Sequence, residues 1–206
     1  MSWDNQWESI HQHNEWGMFP CEHLVRVLSK YQKKLNKKLN VIELGCGTGA
    51  NLSLYNECCQ NFIGIDNSES AILKIKKNAQ KFNQCNFKFL KGNIMDINYL
   101  NFDFKFDMIV DVECLYCFSN ENAKIVIDKV SKNLSNDGQF FSLMFNKDTN
   151  INLLRNIKGM ILRKESDIYE IFDSFNKIIL EKAIRTYNQR KSLISEFIIV
   201  SEDFQI

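Results

Sequence analysis

The chain has 206 residues, a formal net charge of +1, and 45% hydrophobic against 25% charged residues. That balance builds one domain with a sizeable core, and it excludes the strong charge field that draws a protein to nucleic acid or to an acidic membrane face. No apolar run approaches ~20 residues, so no segment is expected to span a bilayer, and the opening Met1-Ser2-Trp3-Asp4 lacks the basic-then-apolar pattern of a secretory signal.

Residues 1–20 are polar but carry Trp3, Trp7 and Trp16, and they end at the sole proline, Pro20. Proline suits a helix start, and Leu24, Val25, Leu28, Tyr31 and Leu35 recur at helical spacing, which predicts a helix over about 20–35. A basic connector, 33–38, leads to a buried strand at 39–44, a glycine-rich turn and a helix ending near Cys58. A second strand, 61–66, ends in Asp66. Asn67-Ser68-Glu69-Ser70 then offers N-cap chemistry for a helix to about Lys81. Strand three is predicted at 86–90, strand four at 106–111, and a helix at about 121–134. Asn136-Asp137-Gly138 turns the chain into strand five, 139–145. Strands alternating with helices of ~10–15 residues predict a parallel, doubly wound sheet.

After Asn146 the pattern loosens through 147–164 into a short helix, 167–175. Two strands follow at about 177–185 and 192–201, and their short link pairs them antiparallel at the sheet's edge. The expected fold is α/β, a doubly wound, seven-stranded, mostly parallel sheet with the last strand antiparallel. The chain reads as a single domain. Residues 1–38 would form a lid segment and a helix packed on the core, and 39–206 would carry the sheet.

The stretch Val41-Ile42-Glu43-Leu44-Gly45-Cys46-Gly47-Thr48-Gly49-Ala50-Asn51-Leu52 is the strongest signal. It reads as a buried strand, a tight turn and a helix start, where glycines tolerate positive φ and let backbone N–H groups approach a ligand. Gly45, Gly47 and Ala50 satisfy G-x-G-x-x-G/A, which keeps a dinucleotide such as NAD open. Asp66, 21 residues after Gly45, can accept from both hydroxyls of a ribose, a diol that NAD and S-adenosylmethionine both carry.

Glu43 two residues before the first glycine, followed by Gly-Cys-Gly-Thr-Gly, closely resembles the first motif, (V/I/L)(L/I)(D/E)xGxGxG, of class I S-adenosylmethionine-dependent methyltransferases. The resemblance covers about 39–145. It implies that family's seven-stranded fold, S-adenosyl-L-methionine as cofactor and S-adenosyl-L-homocysteine as product. It places Gly45, Cys46, Gly47 and Asn51 around the methionine part of the cofactor, with Glu43 beside the ammonium group. Asp66 and Asn67 fall at the ribose. Asn93 stands where the family commonly has Asp, and with Ile94 it is placed at the adenine edge. A narrower likeness rests on Trp16-Gly17…Pro20-x-Glu22-His23-Leu24-Val25-Arg26, the Asp111–Cys117 loop and Arg185-Thr186-x-Asn188. These resemble small bacterial methyltransferases associated with surface-polysaccharide biosynthesis, which implies a small polar acceptor.

Asp111-Val112-Glu113-Cys114-Leu115-Tyr116-Cys117-Phe118 leaves strand four, where an open parallel sheet places its ligands. Asp111 and Glu113 could hold an acceptor amine or remove its proton, Asp111 could also reach the cofactor, and Tyr116 could line the pocket. Trp16 would form an aromatic lid, His13 or His11 could serve as a base, and Arg163 and Arg185 would suit a phosphate or carboxylate on the acceptor. Seven cysteines, an odd number, read as reduced thiols, and the expected location is cytoplasmic. Cys114 and Cys117 lack a second ligand pair, so no metal site is expected. The absence of any proline after Pro20 removes the Asn/Asp-Pro-Pro-Tyr/Phe motif of DNA methyltransferases, so neither nucleic acid nor membrane is an expected partner. The expected reaction is N-methylation of a small amine, such as a phosphorylated amino alcohol of the phosphoethanolamine kind or an amino sugar. O-methylation of a sugar or capsule precursor is the alternative. An NAD-linked oxidoreductase would need a Tyr-x-x-x-Lys that is not visible, and a non-catalytic S-adenosylmethionine-binding subunit also fits. Monomer and homodimer stay equally open.

Overall fold

The computed structural model describes residues 3–13, 19–99, 102–150, 159–186 and 193–204. Along the chain run α1 (Trp3–His13), α2 (Glu22–Leu35), β1 (Leu39–Leu44), α3 (Leu52–Cys58), β2 (Cys59–Asp66), α4 (Glu69–Ala79), β3 (Asn86–Lys91), β4 (Phe106–Val112), α5 (Asn120–Ser131), β5 (Leu134–Phe145), α6 (Glu165–Ile171), β6 (Phe175–Thr186) and β7 (Leu193–Phe204). The strands form one sheet in the order β3-β2-β1-β4-β5-β7-β6. β1 pairs in parallel with both β2 and β4, and β4 with β5. β7 runs antiparallel between β5 and β6, so six strands share one direction and the last is reversed.

Strand alternation explains why the sheet is buried on both faces. Ile42, Leu44, Ile63, Ile65, Ile109 and Phe140 point to one side and pack under α5 and α6. Val41, Phe62, Met108, Val110 and Phe141 point to the other, beneath α2, α3 and α4. Ser68 caps α4, its hydroxyl accepting from the Ala71 N–H at 3.1 Å. Among the described residues, no helix is long and apolar enough to cross a membrane.

Three local expectations are revised. Residues 3–13, where the sequence predicts no secondary structure within the lid segment, form helix α1. The Asn136–Gly138 turn is instead an irregularity inside β5, where the partners jump from Phe106–Leu134 to Met108–Gln139. β2 begins at Cys59, directly after α3, rather than at Asn61.

Candidate functional site

Strand order reverses direction at β1, whose neighbours are β2 on one side and β4 on the other. An open parallel sheet has its crevice beyond the carboxyl ends of such strands. A cavity of about 970 Å³ opens there, lined by Gly45, Cys46, Gly47 and Asn51 after β1, Asp66 and Asn67 after β2, Asn93 and Ile94 after β3, and Glu113 and Tyr116 after β4.

The turn after β1 needs its glycines for two different reasons. Gly45 has φ 68, and a Cβ on it would lie 2.5 Å from the Cys114 Sγ, so neither backbone nor space admits a side chain. Gly47, at φ 52, has an open face: the first atom a Cβ would meet is His11 Nε2, at 3.8 Å. The N–H groups of this turn are engaged within the protein. Those of Gly45 and Cys46 donate to the Ile65 carbonyl, at 2.8 and 3.0 Å, and that of Gly47 to Asp66 Oδ2 at 2.9 Å. These three N–H groups are therefore not free to cradle a pyrophosphate.

Carboxylates dominate the electrostatics. Glu43 is buried, and burial pushes its carboxyl up to about 8 while the Asn51 amide, 2.7 Å from Oε1, pulls the other way. Asn51 also accepts the Cys21 N–H at 2.9 Å, which ties the start of α2 to β1. Asp66 accepts from Ser68 N–H as well as Gly47, both at 2.9 Å, and burial raises its pKa. Glu22, Glu43, Asp66 and Glu113 all line the cavity, whereas among the described residues no Lys or Arg does. A cationic, hydroxyl-bearing ligand suits these acceptors, and an anion does not.

The loop after β4 is held from below. Asp111 is fully buried; its oxygens accept from the Cys114 and Leu115 N–H groups at 2.9 and 3.0 Å and from the Ser142 hydroxyl. Asp111 thus does not line the cavity, and burial lifts its pKa to about 6. Glu113 does line it, in a left-handed conformation with φ 56 that costs a non-glycine residue on the order of 1 kcal/mol. Its N–H donates to the Leu143 carbonyl at 3.1 Å. Tyr116 packs edge-on against Phe145, with ring centroids 5.1 Å apart.

Of the other expected acceptor residues, Arg163 and His13 do not line the cavity. Arg163 is completely buried, donating to Asn120 and to the carbonyls of Leu115 and Phe118, so it braces the β4 loop from behind. His13 is exposed, its Nδ1 2.8 Å from the Ser9 carbonyl. Arg185 lies on β6 by its backbone, and Trp16 falls outside the described residues. Asn93 accepts the Met95 N–H at 3.0 Å, a turn-forming contact that it makes while bordering the cavity. Sequence reasoning missed Glu8. Its carboxylate accepts from the Ser68 and Ser70 hydroxyls at 2.7 and 2.6 Å, which docks α1 on the start of α4 and brings Trp7 and His11 to the cavity. The only local hint is the spacing of Trp7 and His11, four apart on one helix face.

A family model described as a methyltransferase domain matches residues 35–192. No curated protein matches the sequence. Among solved structures, the chain is similar to the N-methyltransferase NodS from Bradyrhizobium japonicum WM9 in complex with S-adenosyl-L-homocysteine, with a TM-score of 0.68 and 15% identity over 98% of this chain and 99% of that one. It is also similar to magnesium protoporphyrin IX methyltransferase from Synechocystis PCC 6803 with bound SAM, with a TM-score of 0.64 and 14% identity over 98% of each chain. A SAM-dependent methyltransferase from Methanosarcina mazei gives a TM-score of 0.65 and 15% identity, covering 93% of this chain and all of the other. At such identities the likeness is one of fold.

Proposed function

The chain belongs to the methyltransferase-domain family, and from that premise we propose that it is an S-adenosylmethionine-dependent N-methyltransferase acting on a small amine. The observation that carries this reading is the pairing of a bare glycine face at Gly47 with the buried Glu43 carboxyl and the half-buried Asp66, in a cavity where no described Lys or Arg opposes a cation. When bound, S-adenosylmethionine supplies an electrophilic methyl group on a sulfonium centre.

The residues divide the work. Glu43 faces the ammonium of the cofactor, with Asn51 fixing its orientation. Asp66 receives the ribose hydroxyls; each of its oxygens already accepts one N–H and keeps a second lone pair for this purpose. Gly45, Cys46 and Gly47 form the floor, Asn67 flanks the ribose, and Asn93 and Ile94 border the base. Glu113 is the acceptor-side acid that holds the amine and takes its proton, and Tyr116 walls the chamber. Asp111 acts through the loop it pins and is a positioning residue. Residues 1–38 supply the lid and 39–206 the catalytic sheet.

Positioning does most of the work, because a neutral amine held in line needs no further activation. Van der Waals exclusion of water by Trp7, Tyr116 and Phe145 leaves the nucleophile unsolvated. The acceptor is an amino alcohol, phosphorylated or not, or an amino sugar. The lining favours the forms without a phosphate, since the described residues offer the phosphate no cation. Incubation with methyl-labelled donor and a panel of amino alcohols, their phosphates, amino sugars and neutral sugars tests this. Label on nitrogen is the expected result, and label found solely as an O-methyl ether overturns it.

A further inference from the structure

Helix α1 lies outside the residues 35–192 that the family model matches, yet it forms one wall of the cavity. Trp7 and His11 line that wall with their ring centroids 5.5 Å apart. His11 is almost fully enclosed, and its Nδ1 is buried with no hydrogen-bond partner. A buried ring nitrogen without a partner normally costs about 1–3 kcal/mol. The other ring nitrogen is the nearest atom to the open face of Gly47. Burial lowers the pKa of His11 against the pull of Asp66 and Glu8, so the ring is neutral and offers one donor and one acceptor.

A carboxylate on the helix ties it to α4. Glu8 accepts from the Ser68 and Ser70 hydroxyls and, at 3.3 Å, from the Ser70 N–H at the first turn of α4. Ser68 follows Asp66 by two residues, so the fastening point and the ribose acid share one loop. Glu8 is held well below the usual carboxylate range, at about 2, by these hydroxyl bonds.

From this arrangement we infer that α1 is a cofactor clamp: His11 hydrogen-bonds the bound S-adenosyl group over Gly47 from the side opposite the sheet, and Glu8 is the positioning residue that holds it there. The inference rests on the cavity being the cofactor site, as proposed above. It adds a cofactor-binding residue from a segment that the family match does not cover.

Calorimetric titration with S-adenosylhomocysteine tests it on the full chain, using the unaltered protein, H11A, H11Q, E8Q and E8Q/H11A. A lost hydrogen bond of ordinary strength predicts about tenfold weaker binding in H11A, with H11Q recovering part of the loss because its amide also donates and accepts. E8Q should weaken binding in the unaltered background and add nothing in H11A, since it acts through the histidine. Amides of 7–13 should exchange more slowly once the ligand is bound. Should the unaltered protein bind while H11A binds within twofold of it, or should the two substitutions simply add, the clamp is overturned and the cofactor site stands. If the unaltered protein shows no binding at all, the cofactor reading fails and takes the clamp with it.

Discussion

Replacing Glu43 with Gln separates two opposite effects of one carboxyl. Burial moves it from 4.5 up to about 8, so the folded protein keeps a proton that the unfolded chain releases between those values. Stability therefore falls as pH rises through that window, by roughly 5 kcal/mol in all at about 1.4 kcal/mol per pH unit, and levels off above it. Gln retains an oxygen to accept from Asn51 and cannot ionise, so E43Q should lose most of that fall and be the more stable protein at pH 8.5. Binding responds the other way. At pH 7 a carboxyl with a pKa near 8 is roughly nine-tenths protonated, and closing on an ammonium group ionises it. Binding of S-adenosylhomocysteine should then release about 0.9 proton per site at pH 7 and about 0.1 at pH 9. Calorimetry at pH 7 in buffers of differing ionisation enthalpy reads this number directly. E43Q should release nothing from this position and bind at least about tenfold more weakly, the loss of one charge-assisted contact. Near-zero release by the unaltered protein, or equal release by E43Q, would refute the assignment of Glu43 to the ammonium.

Gly45→Ala should lower stability by about 3 kcal/mol, from left-handed strain together with a methyl group driven into Cys114. In thermal melts, adding Cys114→Gly should restore the steric part alone; complete recovery would show that the backbone is not strained. Arg163→Met leaves the Leu115 and Phe118 carbonyls without their donor and should lower the unfolding free energy in urea by about 2–3 kcal/mol. An unchanged midpoint would mean that the guanidinium does not brace the loop. Asp111→Asn should slow methyl transfer on the order of tenfold while leaving affinity for S-adenosylhomocysteine within about twofold, because it disturbs the loop under Glu113 and not the cofactor floor. An equal loss of that affinity would put Asp111 at the cofactor instead.

Much of the sheet was legible in the sequence because its strands are apolar runs buried on both faces, and the helices between them keep a 3.6-residue period. Leu39–Leu44 and Phe106–Val112 needed no other signal. The glycine turn was legible for a similar reason: Gly45 and Gly47 hold backbone conformations that other residues resist. Contacts made across long stretches of chain were not. Glu8 meets Ser68 and Ser70 some 60 residues away, and without that fastening α1 reads as a polar tail. Arg163 carries a charge that composition assigns to solvent or substrate, whereas its carbonyl partners lie 45 and 48 residues earlier. The Asn136–Gly138 signal is real turn chemistry, absorbed as an irregularity because Leu134 still pairs with Phe106.

Difference density from crystals soaked with S-adenosylhomocysteine shows directly where the nucleoside binds. The expected ligand runs from Glu43 past Gly47 to Asp66, with its sulfur turned toward the chamber walled by Glu113 and Tyr116. An empty crevice, or a ligand bound away from Gly47 and Asp66, would contradict the proposed cofactor site.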